Sequence, residues 1–204
     1  MVIQCLFVCE GSSDASLTTH IRQLLNIYGS HPADFNISID GQRLVDKVRN
    51  GLDMASHYDL MFIHRDADRA GADARFREIA EAIRQSEYTD PWVGVVPVRM
   101  TEAWLLLDEA AIRRVVRRPN GSRPIALPSP SEVERRADPR EILNSALLDA
   151  SEARGRRRDD LRRNLPTLRR NLLQNLPIGG ALEQLESWTR FRDDTVAALK
   201  RISD

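Results

Sequence analysis

The sequence contains few cysteines and no long apolar run. Its 204 residues include only two cysteines, Cys5 and Cys9. On a strand, residues four positions apart share a face at about 13 Å, which is too far for a disulfide, so we expect two small buried thiols. No window approaches the roughly 20 apolar residues of a membrane-spanning helix, and Met1 leads into a predicted strand without a cleavable leader. We therefore expect a cytoplasmic protein with no membrane partner.

Histidine and lysine are also scarce. Four scattered histidines give no zinc-ligand spacing, and all basic residues except Lys47 and Lys200 are arginine. The net charge of zero is unevenly distributed, since residues 1–112 carry 17 acidic and 10 basic side chains and residues 113–204 carry 13 and 20. This distribution predicts an acidic sheet domain beside a basic helical one. Arginine suits phosphate recognition because its planar fork is rigid.

Strand-like and helix-like segments alternate through the first half of the chain. The apolar runs typical of strands are residues 2–8, 35–39, 59–64 and 92–98, and segments of helical periodicity separate them. Such alternation predicts right-handed crossovers and a parallel sheet. The predicted fold class is therefore α/β, with a four-stranded parallel sheet flanked by helices.

The second half of the chain has the pattern of an all-helical region. Residues 117–130 hold four prolines and a glycine, which predicts a linker or a long surface loop. Beyond them, Ser131-x-x-Glu134 and Asp138-Pro139-x-Glu141 match helix-capping patterns, and a long last helix is predicted over residues 181–202. The predicted parts are a sheet domain, a linker and an arginine-rich helical region, over residues 1–116, 117–130 and 131–204.

Two acidic motifs follow predicted strands. Glu10-Gly11-Ser12-Ser13-Asp14 follows the first, with Gly11 expected to permit a tight reversal, and Asp66-Ala67-Asp68-Arg69-Ala70-Gly71 follows the third. A lone Asp-x-Asp is as well explained by helix capping, but the carboxyl ends of parallel strands are where ligands bind. Two such clusters in one small sheet predict a metal site. Carboxylate ligation is typical of hard cations, so Mg²⁺, Mn²⁺ or Ca²⁺ is expected rather than zinc.

The order of these segments resembles a known family. Residues 1 to about 110 resemble the TOPRIM domain of topoisomerases, primases and overcoming-lysogenization-defect nucleases. The shared order is strand, Glu-Gly, helix, strand, helix, strand, Asp-x-Asp-x-x-Gly, helix and strand. The resemblance implies that Asp66, Asp68 and Glu10 or Asp14 hold Mg²⁺ or Mn²⁺. It also implies that Glu10 acts as general acid or base in hydrolysis of a DNA or RNA phosphodiester.

A second stretch extends the resemblance. Residues 99–106, Arg-Met-Thr-Glu-Ala-Trp-Leu-Leu, are similar to a segment of small bacterial TOPRIM-like proteins thought of as partners of ABC-type ATPases in phage-defence or toxin-like systems. This similarity adds Glu102 to the candidate metal ligands and implies an ATPase partner, with a homo-oligomer also possible. The competing interpretation of Glu102 is structural, because an acid after a threonine cap stabilises a helix start.

The chain also departs from the nuclease pattern. No tyrosine is placed like the strand-passing residue of a topoisomerase, so relaxation of supercoils is not expected. The related nucleases carry a lysine near the metals, and neither lysine of this chain is predicted to lie there. The substrate-contacting candidates near the motifs are Gly11, Arg65, Arg69 and Arg99. His64, which precedes the Asp-x-Asp, is predicted to be the last residue of a strand, with substrate contact as the alternative.

The arginine run at residues 154–158 has two interpretations. Arg156, Arg157 and Arg158 track a phosphate backbone, or they form a solvated helix face, as the neighbouring Asp159 and Asp160 indicate. We favour the first, because an acidic metal edge needs basic surface nearby to attract a polyanion. The bulky aromatic side chains are predicted to be core or domain interface rather than base-stacking platforms, and they are Trp104, Trp188 and Phe191.

Two other functions compete with nuclease activity. One is a non-catalytic subunit that binds an ATPase or nucleic acid through its helical region. The other is a haloacid-dehalogenase-type phosphatase, whose motif also begins with Asp-x-Asp. That motif follows the first strand and continues with threonine or valine, whereas Arg69 follows Asp68 here on the third strand. The sequence therefore favours the first alternative over the second.

Overall fold

The structure is a computed structural model that describes residues 2–29 and 31–203. Two short 3-10 helices, Asp14–Leu17 and Gly180–Gln184, accompany the regular elements. The strands are β1 (Ile3–Val8), β2 (Ala33–Ser38), β3 (Leu60–His64) and β4 (Trp92–Val95). The helices are α1 (Thr18–Gly29), α2 (Leu44–Leu52), α3 (Ala72–Ser86), α4 (Glu102–Leu105), α5 (Glu109–Val115), α6 (Pro130–Val133), α7 (Pro139–Ala150), α8 (Arg156–Arg163), α9 (Leu165–Gln174) and α10 (Glu186–Ser203).

The four strands form one parallel sheet in the order β2-β1-β3-β4. Cys5 of β1 lies opposite Phe35 of β2 and Leu60 of β3. The two central strands are covered on both faces, which is why β1 and β3 are nearly continuous apolar runs, whereas the edge strand β2 carries exposed residues. The predicted fold class is confirmed.

The chain divides into two compact units. We call Met1–Pro97 together with Ser187–Asp204 the sheet unit, and Val98–Glu186 the helical unit. This division differs from the predicted bounds at residues 116 and 131, because residues 98–116 group with the later helices and the last helix groups with the sheet. The predicted linker, residues 117–130, lies within the helical unit.

Each face of the sheet has its own apolar layer. On one face, side chains of β1 and β3 pack with those of α2 and α3; the central ones are Leu6, Val8, Met61, Ile63, Val45, Val48, Ile79 and Ile83. On the other face, the Phe62 ring lies 6.3 Å from the Phe35 ring and 6.4 Å from the Phe191 ring of α10. Trp188 packs edge-on against Phe191 at 5.6 Å. Both residues are buried, which confirms that they belong to the core.

The prediction of one helix over residues 181–202 is wrong at Leu185. That residue is extended, with φ −94° and ψ 128°, and it separates the 3-10 helix Gly180–Gln184 from α10. Leu182 and Leu185 are both buried. The sequence pattern misses the break because no proline or glycine marks it.

The helical unit is organised around α7 and α9, which pack against α4 and α5. Trp104, predicted to be core, is buried there. The Asp138 cap is confirmed, since its Oδ1 accepts the Glu141 N–H at 3.0 Å. The predicted capping box at Ser131 is wrong, because Ser129 and Glu132 form the box and Pro130 occupies the first helical position, which suits its fixed φ. Within the described ranges, no helix is both long and apolar enough to cross a membrane.

Candidate functional site

The two acidic motifs leave the sheet side by side. β1 and β3 are hydrogen-bonded neighbours, with Val8 opposite Ile63. The chain runs in the same direction in both strands, so the loop that begins at Glu10 and the loop that begins at Arg65 emerge at one carboxyl edge. The topology thus places Glu10 and Asp66 where α/β folds commonly bind ligands.

His64 connects the two loops. It is the last residue of β3 and is buried. Its Nδ1 lies 3.7 Å from Oδ2 of Asp14 and its Nε2 lies 3.4 Å from Oδ1 of Asp66. Asp14 also accepts the Gly11 N–H at 3.0 Å, which fixes that carboxylate within its own loop. One imidazole therefore lies between an acid of each motif, within hydrogen-bond distance of Asp66 and at a longer electrostatic distance from Asp14. The strand-end prediction for His64 did not include this arrangement.

The surrounding carboxylates raise the pKa of His64. Burial is the largest influence and lowers the pKa, but the hydrogen bond and charge of Asp66, with the charges of Asp14 and Glu10, outweigh it. The net pKa lies above the ordinary histidine value. The ring is thus favoured as a cation between two acids, since an opposite charge nearby stabilises the charged form.

Arginines compensate the remaining acids. Nη1 of Arg65 lies 2.9 Å from Oε1 of Glu10, and its Nη2 lies 3.0 Å from Oε1 of Glu78. Arg75 pairs with Glu78 at 2.8 Å and with Asp68 at 3.7 Å. It also donates to the carbonyl oxygen of Asp66 at 3.0 Å through Nε. Arg65, predicted to contact substrate, is thus engaged in a chain of alternating charges along this edge.

Lys47 lies at the site, contrary to the sequence-based expectation that neither lysine does. Its Nζ donates to the carbonyl oxygen of Cys9 at 3.1 Å and to that of Glu10 at 2.8 Å. The physical reason is topological: α2 begins soon after the carboxyl end of β2, the neighbour of β1, so its first turn lies beside the first acidic loop. The position of Lys47 in that turn was the signal available in the sequence.

The backbone of the second motif explains its glycine. The Ala67 N–H donates to the carbonyl oxygen of Pro97 at 3.1 Å, and the Gly71 N–H donates to that of Ala67 at 3.1 Å. Asp68 takes a left-handed φ of 47°, and Gly71 takes φ 84° and ψ 159°, which only glycine adopts readily. Gly11 has no positive φ, so the expected glycine-dependent reversal is wrong there. Its amide instead satisfies Asp14.

Glu102 has its own partners in the helical unit. It is buried, and its Oε1 lies 2.8 Å from Nε of Arg140 and 3.5 Å from Nε of Arg169. Burial lowers the pKa of Arg169, against the charge of Glu102. Thr101, expected to cap this helix, makes no side-chain capping bond. Two arginines therefore neutralise the carboxylate that the resemblance suggested as a metal ligand.

The acids of the motifs suit a metal chemically but are not preassembled around one. Carboxylate oxygens are the donors that Mg²⁺ and Mn²⁺ favour. In the described parts of the chain, however, no three His, Cys, Asp or Glu side chains are placed to hold one ion. Asp14 and Asp66 face His64, while Glu10 and Asp68 face arginines. Protein cations thus offset the repulsion that the clustered acids would otherwise create.

The other predicted contact residues lie in different environments. Arg69 is exposed within the second motif, and Arg99 has a left-handed φ of 68° in the loop before α4. Arg156 and Arg157 are exposed on the first turn of α8. Arg158 is partly buried, and its Nη1 donates to the carbonyl oxygen of Leu148 at 3.0 Å. Its guanidinium group therefore makes a hydrogen bond inside the helical unit.

Comparison with protein-family models, with curated proteins and with solved structures found no match. The resemblance to TOPRIM domains therefore depends on the two acidic motifs and their positions after β1 and β3.

Proposed function

We propose that the protein is a metal-dependent phosphodiesterase that cleaves DNA or RNA at the carboxyl edge of β1 and β3. One observation carries the proposal: acids from two separate motifs, Asp14 and Asp66, meet on the same buried imidazole of His64. The pairing of β1 with β3 brings the two loops together, but helix capping does not require a carboxylate of each loop to face one buried imidazole. A cytoplasmic setting, and a role in phage defence with an ABC-type ATPase partner, belong to the same proposal.

The residues divide into distinct roles under this proposal. Glu10, Asp14, Asp66 and Asp68 would hold Mg²⁺ or Mn²⁺, and the ion's contribution would be to stabilise charge on the phosphodiester oxygens. Lys47 positions the Cys9–Glu10 backbone, and His64 orients Asp14 and Asp66. Lys47 also supports the resemblance, because the related nucleases have a lysine close to their acidic cluster.

The test is cleavage of plasmid DNA and of a structured RNA with Mg²⁺ or Mn²⁺. Asp66→Asn keeps the side-chain shape but removes the charge, and we expect it to lower the rate at least about 100-fold, as for loss of a group that stabilises transition-state charge. Asp73→Asn, an exposed acid on the first turn of α3, is the matched control and should retain the rate. Undiminished cleavage by Asp66→Asn, or none by the wild type with either metal, would refute the proposal.

A second candidate is a non-catalytic subunit that binds nucleic acid or an ATPase through the helical unit. The observation that favours it is the internal compensation of the acids by Arg65, Arg75 and His64, which makes the cluster tolerable without a metal. Isothermal titration of the folded protein with Mn²⁺ separates the two candidates. Binding that Asp66→Asn abolishes supports the enzyme, and absence of binding supports the subunit.

A further inference from the structure

The loop of residues 117–123, predicted to be part of a linker, is fixed in place within the helical unit. Oε1 of Glu152 accepts the N–H groups of Ser122 at 2.7 Å and Arg123 at 2.9 Å. These backbone hydrogen bonds, followed by the charges of Arg118 and Arg113, hold the pKa of Glu152 below its ordinary value. From the other side, Arg113 Nη2 donates to the carbonyl oxygen of Arg123 at 2.8 Å. The loop is therefore a defined surface.

A shared carboxylate joins this loop to the start of α8. Asp149, near the end of α7, lies 3.4 Å from Nη2 of Arg123 and 3.6 Å from Nη2 of Arg158. Arg123 belongs to the loop, and Arg158 follows Arg156 and Arg157 on the first turn of α8. The loop and that turn are consequently two sides of one surface around the end of α7.

The carboxylates of this surface are already engaged. Asp149 forms ion pairs with Arg123 and Arg158, and Glu152 accepts hydrogen bonds from the backbone N–H groups of Ser122 and Arg123. Four exposed arginines of the surface have no ion-pair partner among the residues that the structure describes, and they are Arg117, Arg118, Arg156 and Arg157. Arg118 lies near enough to the Glu152 carboxylate to lower its pKa without forming an ion pair with it, and four arginines beside one such carboxylate leave a net positive charge.

Two later arginines of α8 provide the contrast. Arg162 pairs with Asp159 at 3.2 Å, and Arg163 pairs with Asp160, one helical turn earlier in each case. All four of these arginines are exposed and lie on the same helix. The unpaired arginines of α8 therefore lie on its first turn, beside the loop, and the excess of charge is not a property of the whole helix.

A buried donor beneath the loop is a separate observation. The Arg113 side chain is 9% exposed, and its Nη1 has no hydrogen-bond partner among the described residues. A Cβ built on Gly121 would lie 2.8 Å from this nitrogen. Gly121 lines an open cavity of about 260 Å³, and the other lining residues are Arg117, Arg118, Pro119, Asn120, Ser122 and Glu152. Gly121 therefore leaves room for the Arg113 guanidinium beneath the loop, and that buried guanidinium adds positive charge under the cavity.

We propose that Arg117, Arg118, Arg156 and Arg157 form a binding surface for the phosphate backbone of a nucleic acid. The inference deepens the proposed function and rests on its nucleic-acid substrate, for which it assigns a contact surface. Guanidinium groups bind phosphate oxygens through paired N–H donors and release the counterions of a polyanion, independently of base sequence. The proposed contact residues therefore differ from those predicted from the sequence. Arg158 pairs with Asp149 and is no longer a contact residue, and Arg117 and Arg118 of the loop are added.

The test is the salt dependence of binding to a fluorescent DNA duplex of two helical turns, measured by anisotropy in EDTA so that no cleavage occurs. Two double variants are compared with the wild type, and each should weaken DNA binding at least about tenfold. One combines Arg117→Gly with Arg118→Gln, and the other combines Arg156→Gln with Arg157→Gln. Each should also reduce the slope of log affinity against log salt by about two. Glycine is chosen at position 117 because its φ is 59°, so this variant should fold without strain.

The matched control is Arg162→Gln/Arg163→Gln, which removes the same charge from arginines that already have partners, and it should keep the wild-type slope. The inference would be overturned if the control reduced the slope of log affinity against log salt as much as the two test variants do. It would also be overturned if the wild type did not bind the DNA duplex in EDTA. Competition by inorganic phosphate as effective as that by DNA, at equal phosphate concentration, would instead indicate a free phosphate. Asp66→Asn should bind normally, so loss of cleavage and loss of binding are distinguished.

Discussion

Nη1 of Arg65 lies 2.9 Å from Oε1 of Glu10. The residue that immediately precedes the second acidic motif thus neutralises the first acid of the first motif. An arginine in this position reduces the repulsion among the acids of the site. It also competes with any divalent cation that needs Glu10, because both cannot use the same carboxylate oxygen at once.

Arg65→Gln is expected to raise the affinity for Mn²⁺. A unit charge about 4 Å away is worth roughly 1 kcal/mol in water and about 4 kcal/mol near a protein surface, so removing it should tighten binding at least about fivefold. Isothermal titration measures this directly. Arg84→Gln, which removes an exposed arginine paired with Glu81 on α3, should leave the affinity unchanged.

The titration distinguishes a wrong role for Arg65 from the absence of a metal site. Equal Mn²⁺ affinity in the wild type and in Arg65→Gln would show that Arg65 does not compete for the site. Absence of binding in both proteins would instead count against the metal site itself.

The stability contributed by His64 should depend on pH. Its pKa is raised in the folded protein above the unfolded value of about 6.5. Its contribution is therefore fully present below that value and is lost as the pH rises through the folded pKa. The difference in unfolding free energy between wild type and His64→Gln, from urea titrations in EDTA, should be largest in mild acid and decrease towards alkaline pH. A difference that does not vary with pH would contradict the assignment.

Both cysteines should be inert in the folded protein. Cys5 and Cys9 are free and buried, and burial, the largest cause, raises the pKa of each thiol to about 12. At pH 8 only about one molecule in ten thousand would carry a thiolate at such a site. A thiol reagent should therefore label neither cysteine in the native protein and both in denaturant. Rapid labelling of the native protein would show that β1, at Cys5, or the residue that follows the strand, at Cys9, becomes exposed easily.

Gly51→Ala should destabilise the sheet unit, although alanine is the better helix former by about 1 kcal/mol. A Cβ at Gly51 would lie 2.8 Å from Cδ1 of Leu6 and 2.9 Å from Cβ of Ser38. Overpacking of this kind costs about 1–3 kcal/mol, so we expect a net loss of roughly 1 kcal/mol in urea unfolding. Gly11→Ala is the control, because its Cβ would meet nothing within 4 Å. Equal stabilities of the two variants would contradict the expected clash.

The sequence predicts well whatever depends on local pattern. β1 and β3 are apolar runs long enough to be identified as buried strands, and Asp138-Pro139 marks the start of α7. The alternation of strands and helices predicts a parallel sheet with both acidic motifs at its carboxyl edge, whereas the adjacency of β1 and β3 was expected only from the resemblance to TOPRIM domains. These features need only short windows of sequence and the handedness of crossovers.

Contacts between distant residues could not be predicted in the same way. Lys47 is 37 positions from Glu10, and its place in the first turn of α2 indicates the contact only once the order of the strands is known. The carboxylate pairs of His64 and Arg65 depend on which rotamers meet at the sheet edge. The extended backbone at Leu185 carries no glycine or proline signal. In each case the deciding term is tertiary packing, which overrides local propensity.

The last helix has a consequence for biosynthesis. Phe191 of α10 contacts Phe62 of β3. One part of the core of the sheet unit is therefore completed by a residue that is translated more than a hundred codons after that strand. A nascent chain that has completed β4 already carries α1 on this face, but it still lacks Trp188 and Phe191. We therefore expect part of this apolar surface to stay exposed on the ribosome until α10 has been translated.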